Sequence, residues 1–152
     1  MRRFKRKTTY AIKFTDGTRG IVSSSRGAQM YQGTLYRLDG DWQNIVYDDP
    51  EICLQGWHAF ALSRKGVRHA LEQSFVRGLD DYGIPLRGHT DVWIVEMDVT
   101  CVSWKGYKFA ARNVRFVKKL GSILHPMDIK SCVTRVWGKV QREMKKINGS
   151  HR

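Results

Sequence analysis

Cysteine and proline are scarce, at three residues each in a chain of 152. Cys53, Cys101 and Cys132 are widely separated and odd in number. That argues against a disulfide framework and for reduced, mostly buried thiols. No Cys-x-x-Cys or second ligand pair accompanies Cys53 and His58, so no metal is expected, and no motif asks for a cofactor. No apolar run reaches the length that crosses a bilayer, about 18 residues, which excludes a membrane-spanning helix. The opening MRRFKRKTTY has no apolar segment behind it, so a secretory signal is not expected. Acidic residues are few as well: 14 Asp and Glu face 27 Lys and Arg, a formal net charge of +13. What is not lacking is apolar and aromatic matter. Hydrophobic residues make up 41%, including 5 Trp, 6 Tyr and 6 Phe, enough to exclude wholesale disorder. The length suits a single domain.

The charge is unevenly distributed. Residues 1–30 carry eight bases and one acid, and residues 31–60 carry one base and five acids (Asp39, Asp41, Asp48, Asp49, Glu51). Residues 121–152 return to seven bases and two acids. Five of the N-terminal bases, Arg2, Arg3, Lys5, Arg6 and Lys7, fall in one short stretch. The sequence thus reads as a flexible basic arm over 1–7 and one α+β domain over 8–152.

Within that domain, Thr8 to Phe14 alternates polar and apolar residues as a strand does, with a turn at Asp16-Gly17 and a returning strand over Arg19 to Ser23. Gly33 to Leu38 reads as a strand, with Asn44 to Tyr47 pairing to it. Ser63 precedes apolar positions Val67, Ala70, Leu71, Ser74 and Phe75, which fall at i, i+3, i+4, i+7 and i+8 and predict a central helix over about 63–77. Arg68 and Glu72 form an i,i+4 pair on it. Residues 78–90 read as a loop. Val92 to Val99 is the strongest strand signal, with Trp93, Val95, Met97 and Val99 on one face and Val92, Ile94, Glu96 and Asp98 on the other. Cys101 to Trp104 and Tyr107 to Leu120 read as two further strands turned at Lys105-Gly106. The last element is an amphipathic helix over about 126–147, with Pro126 at its first position and Asp128 in its first turn. Its apolar stripe runs from Ile129 to Ile147, and Gly138 inside it reads as a point of close packing. The expected fold is therefore α+β, a mostly antiparallel sheet packed by these two helices.

Three constellations bear on function. The basic arm, together with Lys139, Arg142, Lys145 and Lys146 on the outer surface of the last helix, would meet a phosphate backbone and release its counterions. Aromatics interleave with bases at Phe4, Tyr107-Lys108-Phe109 and Arg115-Phe116, as stacking platforms for unpaired bases do, although strand aromatics also build cores. Third, His58 sits at a strand end beside a helix start, and Glu96 and Asp98 point the same way along a strand. The histidine is either ligand-facing or structural. The two acids either hold a cation or a proton, or lie on a solvated strand end. No helix-turn-helix, zinc finger or RNA-recognition signature occurs, so base-specific readout is not expected.

Cys53-Leu54-Gln55-Gly56-Trp57-His58-Ala59, a helix, Val92-Trp93-Ile94-Val95-Glu96 and Lys108-Phe109-Ala110-Ala111-Arg112 together resemble an uncharacterised domain of phage and bacterial proteins. The resemblance covers about residues 45–120 and implies a phage or prophage origin without an activity. A looser similarity is to ADP-ribosyltransferases. It would place Arg37 or His58 beside the nicotinamide and make Glu96 the catalytic acid, although the Ser-Thr-Ser strand of that family is missing and Glu96-Met97-Asp98 replaces its paired-acid motif. The leading expectation is a binding protein of the bacterial cytoplasm with a host-takeover or anti-defence role, acting on DNA, RNA or a nucleic-acid-bearing host complex. One alternative is an enzyme using His58 and Glu96. The other is an inhibitor that presents the acidic segment Asp39–Glu51 to a basic protein surface.

Overall fold

The computed structural model describes residues 8–16, 22–23, 40–44, 57–77, 89–103, 105–124 and 128–149. Their order is β1 (Thr9–Asp16), β2 (Val22–Ser23), β3 (Gln43–Asn44), β4 (Trp57–Ala61), α1 (Arg64–Arg77), β5 (His89–Val102), β6 (Lys108–Leu124) and α2 (Ile129–Gly149). The class is α+β, and among the described residues every strand pairing is antiparallel.

The sheet curls until it meets itself. β5 lies between β1 and β6 and pairs with both along most of its length. β4 then joins their outer edges, with Ile12 opposite Phe60 on β1 and His58 opposite Ala110 on β6. The ring β1–β5–β6–β4 is thereby closed. β2 extends the edge of β1, and β3 that of β6. The long β5–β6 pair achieves this bend through four register shifts, between Val92 and Trp93, Ile94 and Val95, Met97 and Val99, and Val99 and Cys101. Bulges of this kind add local twist and let a long strand turn a corner.

A ring of so few strands has little interior volume, and the residues facing inward reflect that. Ala11, Ala59 and Ala111 supply the narrow positions; Trp57, Val95, Met97, Val114 and Phe116 fill the remainder. Trp93 packs edge-on against Phe116 with ring centroids 5.3 Å apart. Strand alternation sends Ile12, Phe14, Phe60 and Val92 to the outer face, where α1 (Val67, Ala70, Leu71) and α2 (Cys132, Val133, Val136, Val140) cover them. Burial pushes the Cys132 thiol above its ordinary pKa, which keeps it protonated and inert.

Lys13 is an exception to the apolar interior. It alternates with Ala11 toward the inside of the ring, lies opposite Trp93 and is only 1% exposed. Its ammonium donates to the His58 carbonyl. Burial, and secondarily the charge of Lys108, lower its pKa from 10.5 to about 7.

Only Leu62 and Ser63 separate β4 from α1. Ser63 caps it, its hydroxyl accepting from the Gly66 amide at 3.0 Å. The junction is tight enough that a Cβ on Gly66 would fall 1.9 Å from the Ala61 carbonyl oxygen. Val67, Ala70 and Leu71 form the buried stripe expected from the sequence, whereas the side chains of Ser74 and Phe75 lie outside the described residues.

Several sequence-based boundaries require correction. Cys101 and Val102 finish β5 rather than open a separate strand, because the chain does not turn until Lys105–Gly106. His89 and Thr90 are already strand, paired with Leu124 and Ile123. Asn44 pairs with Asn113 on β6, and Gly33–Leu38 lies outside the described residues. α2 starts at Ile129, not Pro126. Asp128 is its cap, its carboxylate accepting from the Ser131 amide at 3.0 Å and the Ser131 hydroxyl at 2.8 Å. The amide bond, followed by the hydroxyl bond, holds the Asp128 carboxyl below its ordinary pKa.

Gly138 is not a point of close packing. A Cβ there would meet only the Arg142 guanidinium, at 3.6 Å, an ordinary contact. Gly138→Ala is therefore expected to stabilise the protein by about 1 kcal/mol, since helix propensity improves and nothing is displaced. Thermal unfolding checks this; a lower melting temperature for the variant would contradict it.

Candidate nucleic-acid interface

α2 carries its cations in an ordered way. Arg135, Lys139, Arg142 and Lys146 recur at i, i+4, i+7 and i+11, so they project within roughly 60° of one another along about 16 Å of helix. The stripe borders the apolar face that docks on the sheet. At its N-terminal end, Arg135 and Lys139 line a cavity of about 40 Å³ with Cys132, Val136, Val92 and the Leu120–Ser122 segment of β6. The Lys139 ammonium rests over Gly121, where an added Cβ would stand 2.9 Å from it. The glycine thus gives the lysine room to lie against the strand. Lys146 is shared with Glu143 at 3.5 Å, a loose and exposed pair that leaves its charge available to a stronger partner.

Of the α2 bases singled out in the sequence, Lys139, Arg142 and Lys146 belong to this stripe. Lys145 is exposed one position off it, nearer the solvent-facing back of the helix. Arg135 was missed, although its spacing from Lys139 gives it away. Arg2, Arg3, Lys5, Arg6 and Lys7 lie outside the described residues, as does Arg37. Of the five acids in the acidic segment, Asp41 alone is described with its side chain, and it is exposed.

On the opposite flank of α2 is a second basic feature that sequence reasoning did not find. A groove of about 510 Å³ opens between the first turns of the two helices, lined by Arg64, Lys65, Arg68, Lys130 and Val133. Arg64 bridges it by donating to the Thr134 hydroxyl at 3.2 Å. Arg68 also pairs with Glu72 at 3.2 Å, so one of the four cations is partly balanced within α1. The arrangement runs against helix electrostatics. The N-terminal end of a helix carries partial positive charge, and each base there forgoes about 0.3–1 kcal/mol that an acid would gain. Neither helix has an acidic residue in its first turn, and α1 opens Arg64-Lys65. That inversion was the available sequence signal: a Ser63 cap followed by bases where acids are favoured.

The two residues proposed for catalysis are held apart by the sheet. His58 is 1% exposed on β4, opposite Ala110, while Glu96 lies on β5, opposite Arg115. Those two β6 positions are separated by roughly 16 Å along the strand. Glu96 forms a two-pronged pair with Arg115, at 2.7 and 2.8 Å, and accepts from the Thr8 hydroxyl. Asp98 is likewise engaged, accepting from both the backbone amide and the side-chain amide of Asn113, whose oxygen in turn accepts from Asn44. These acids tie β3, β5, β6 and the residue just before β1 together. Of the interleaved aromatics, Phe116 is buried in the ring and Phe109 packs against the same core, so neither offers a free ring face. Tyr107 sits 6.3 Å from His69, which contacts Phe60 at 5.6 Å, while the Lys108 ammonium lies over Phe60.

Among the described residues no helix is long and apolar enough to cross a membrane. Comparison with protein-family models, curated proteins and solved structures yields no match.

Proposed function

We propose that the protein binds nucleic acid, DNA or RNA, alone or within a host complex, through its backbone phosphates. The observation that supports this reading best is the stripe Arg135–Lys139–Arg142–Lys146 on α2. Successive members rise about 4.5–6 Å along the helix, a spacing suited to consecutive phosphodiesters rather than to base edges. A net charge of +13 adds long-range attraction, and the basic N-terminal stretch would supply further contacts. The absence of a helix-turn-helix or zinc-finger signature fits binding that is indifferent to sequence. On this proposal the activity would serve host takeover or anti-defence in the cytoplasm of an infected or lysogenic cell, the setting that the expected phage-type resemblance implies.

Fluorescence anisotropy with duplex DNA, single-stranded DNA and RNA across a salt series tests it. The logarithm of affinity should fall steeply with the logarithm of salt. Arg142→Gln/Lys146→Gln should weaken binding to every sequence alike and flatten the slope by about 2, one unit per lost phosphate contact. Affinity that hardly varies with salt, or is unaltered by the double variant, would refute the reading.

A further inference from the structure

The groove between the two helices differs from the stripe in one respect that matters for its ligand: its charge is concentrated. Arg64, Lys65, Arg68 and Lys130 surround a single volume of about 510 Å³. That is the size of an ordinary small-molecule site, about 300–1,000 Å³. The Asp128 carboxylate already serves the first turn of α2 and Glu72 pairs with Arg68, so the charge of the groove rests on its four side-chain cations. Among the described residues, Val133 is its one apolar lining residue, and no aromatic or amide side chain lines it. A phosphodiester chain would bring about one negative charge per 6 Å into such a place, too sparse to balance it. An oligophosphate brings three or four charges within the groove's own dimensions and offers paired oxygens to the two guanidinium forks.

We infer that this groove is a binding site for a compact oligophosphate, the di- or triphosphate group of a nucleotide or of an RNA 5′ end, held by Arg64, Lys65, Arg68 and Lys130 without regard to the attached base. This inference does not depend on the nucleic-acid reading of the α2 stripe, which lies on the other flank of the helix. Its recognition logic is that of guanidinium forks and ammonium groups converging on paired phosphate oxygens, and four side-chain cations serve one ligand.

Calorimetric titration of the intact protein with sodium tripolyphosphate at low salt is the primary test. Tripolyphosphate should bind as one molecule per chain, more tightly than pyrophosphate and far more tightly than orthophosphate. ATP and GTP should match each other. Lys65→Gln/Lys130→Gln, which alters two exposed side chains and no core contact, should weaken tripolyphosphate by at least about tenfold. Arg142→Gln/Lys146→Gln should leave tripolyphosphate binding unchanged while reducing polynucleotide affinity, so the two sites can fail independently. RNA bearing a 5′-triphosphate, compared with the same RNA bearing a 5′-hydroxyl, separates the sources of the ligand. A preference for the former, abolished by the groove variant, identifies a strand end; equal binding, with tripolyphosphate retained, identifies a free nucleotide. Absence of tripolyphosphate binding, wild-type affinity in Lys65→Gln/Lys130→Gln, or orthophosphate binding as tightly as tripolyphosphate would overturn the inference.

Discussion

Stability toward denaturant should rise steadily as the pH is raised from about 7 to 10, and Lys13→Met should abolish most of that rise. The cause is the Lys13 ammonium inside the strand ring. Its pKa is lowered from 10.5 to about 7, first by burial and then by the Lys108 charge. Between those values the unfolded chain holds a proton on Lys13 that the folded chain does not. Stability therefore climbs with pH across that window, by as much as about 1.4 kcal/mol per unit, and is lowest below pH 7, where folding must bury a charge. The His58 carbonyl accepts from the neutral amine and from the ammonium alike, so it does not reverse the sign. Replacing the amine by a thioether removes the charge and also the hydrogen bond to that carbonyl, at a cost of about 0.5–1.5 kcal/mol. At pH 6 the removed charge is the larger effect and the variant should be the more stable. At pH 10 the lost hydrogen bond remains and the ranking should reverse. Denaturant titrations of both proteins across this range would show the two curves crossing. Parallel curves would mean that Lys13 is not the titrating group.

How much of this could be read from the sequence depends on whether the controlling interaction was local. The alternation of Val92 to Val99 set its two faces correctly because a strand's side-chain period is fixed by its backbone. The Ser63 cap and the Val67–Ala70–Leu71 stripe were equally legible, since helix starts and amphipathic faces are encoded within a few residues. Ring closure was not. It rests on β4 reaching both β1 and β6, and on the four register shifts between β5 and β6, none of which has a local signature. The same reason hid the fate of Glu96 and Asp98. Their spacing looked like a pair of free acids, but their partners, Arg115, Thr8 and Asn113, come from strands distant in sequence. Nothing in the strand pattern of Thr8 to Phe14 marks Lys13 as buried; the curl of the sheet turns it inward. The basic groove was half legible. Arg64 and Lys65 broke the dipole rule in plain view, whereas Lys130 joins them only because α1 and α2 pack side by side.

Gly66→Ala should be the most damaging single methyl addition among the described glycines. α1 starts so soon after β4 that the Gly66 Cα faces the Ala61 carbonyl. An added Cβ would stand 1.9 Å from that oxygen and 2.7 Å from its carbon. Both are backbone atoms, so no side chain can swing aside. Relief would require moving either the end of β4, which is pinned between β1 and β6, or the first turn of α1, which is pinned by the Ser63 cap and the buried Val67. Helix propensity favours alanine by about 1 kcal/mol, but overpacking against a fixed neighbour costs about 3 kcal/mol or more, so destabilisation should dominate. The consequence reaches the groove, because Arg64 and Lys65 stand on the turn that must shift. Gly66→Ala should therefore lower the melting temperature and weaken tripolyphosphate binding together. Gly138→Ala, the same chemical change in the second helix, should raise the melting temperature and leave that binding intact. Thermal unfolding and calorimetry on the two variants side by side check both. Gly66→Ala melting at or above the wild-type temperature would show that the β4–α1 junction has slack the close approach of Gly66 to Ala61 does not allow.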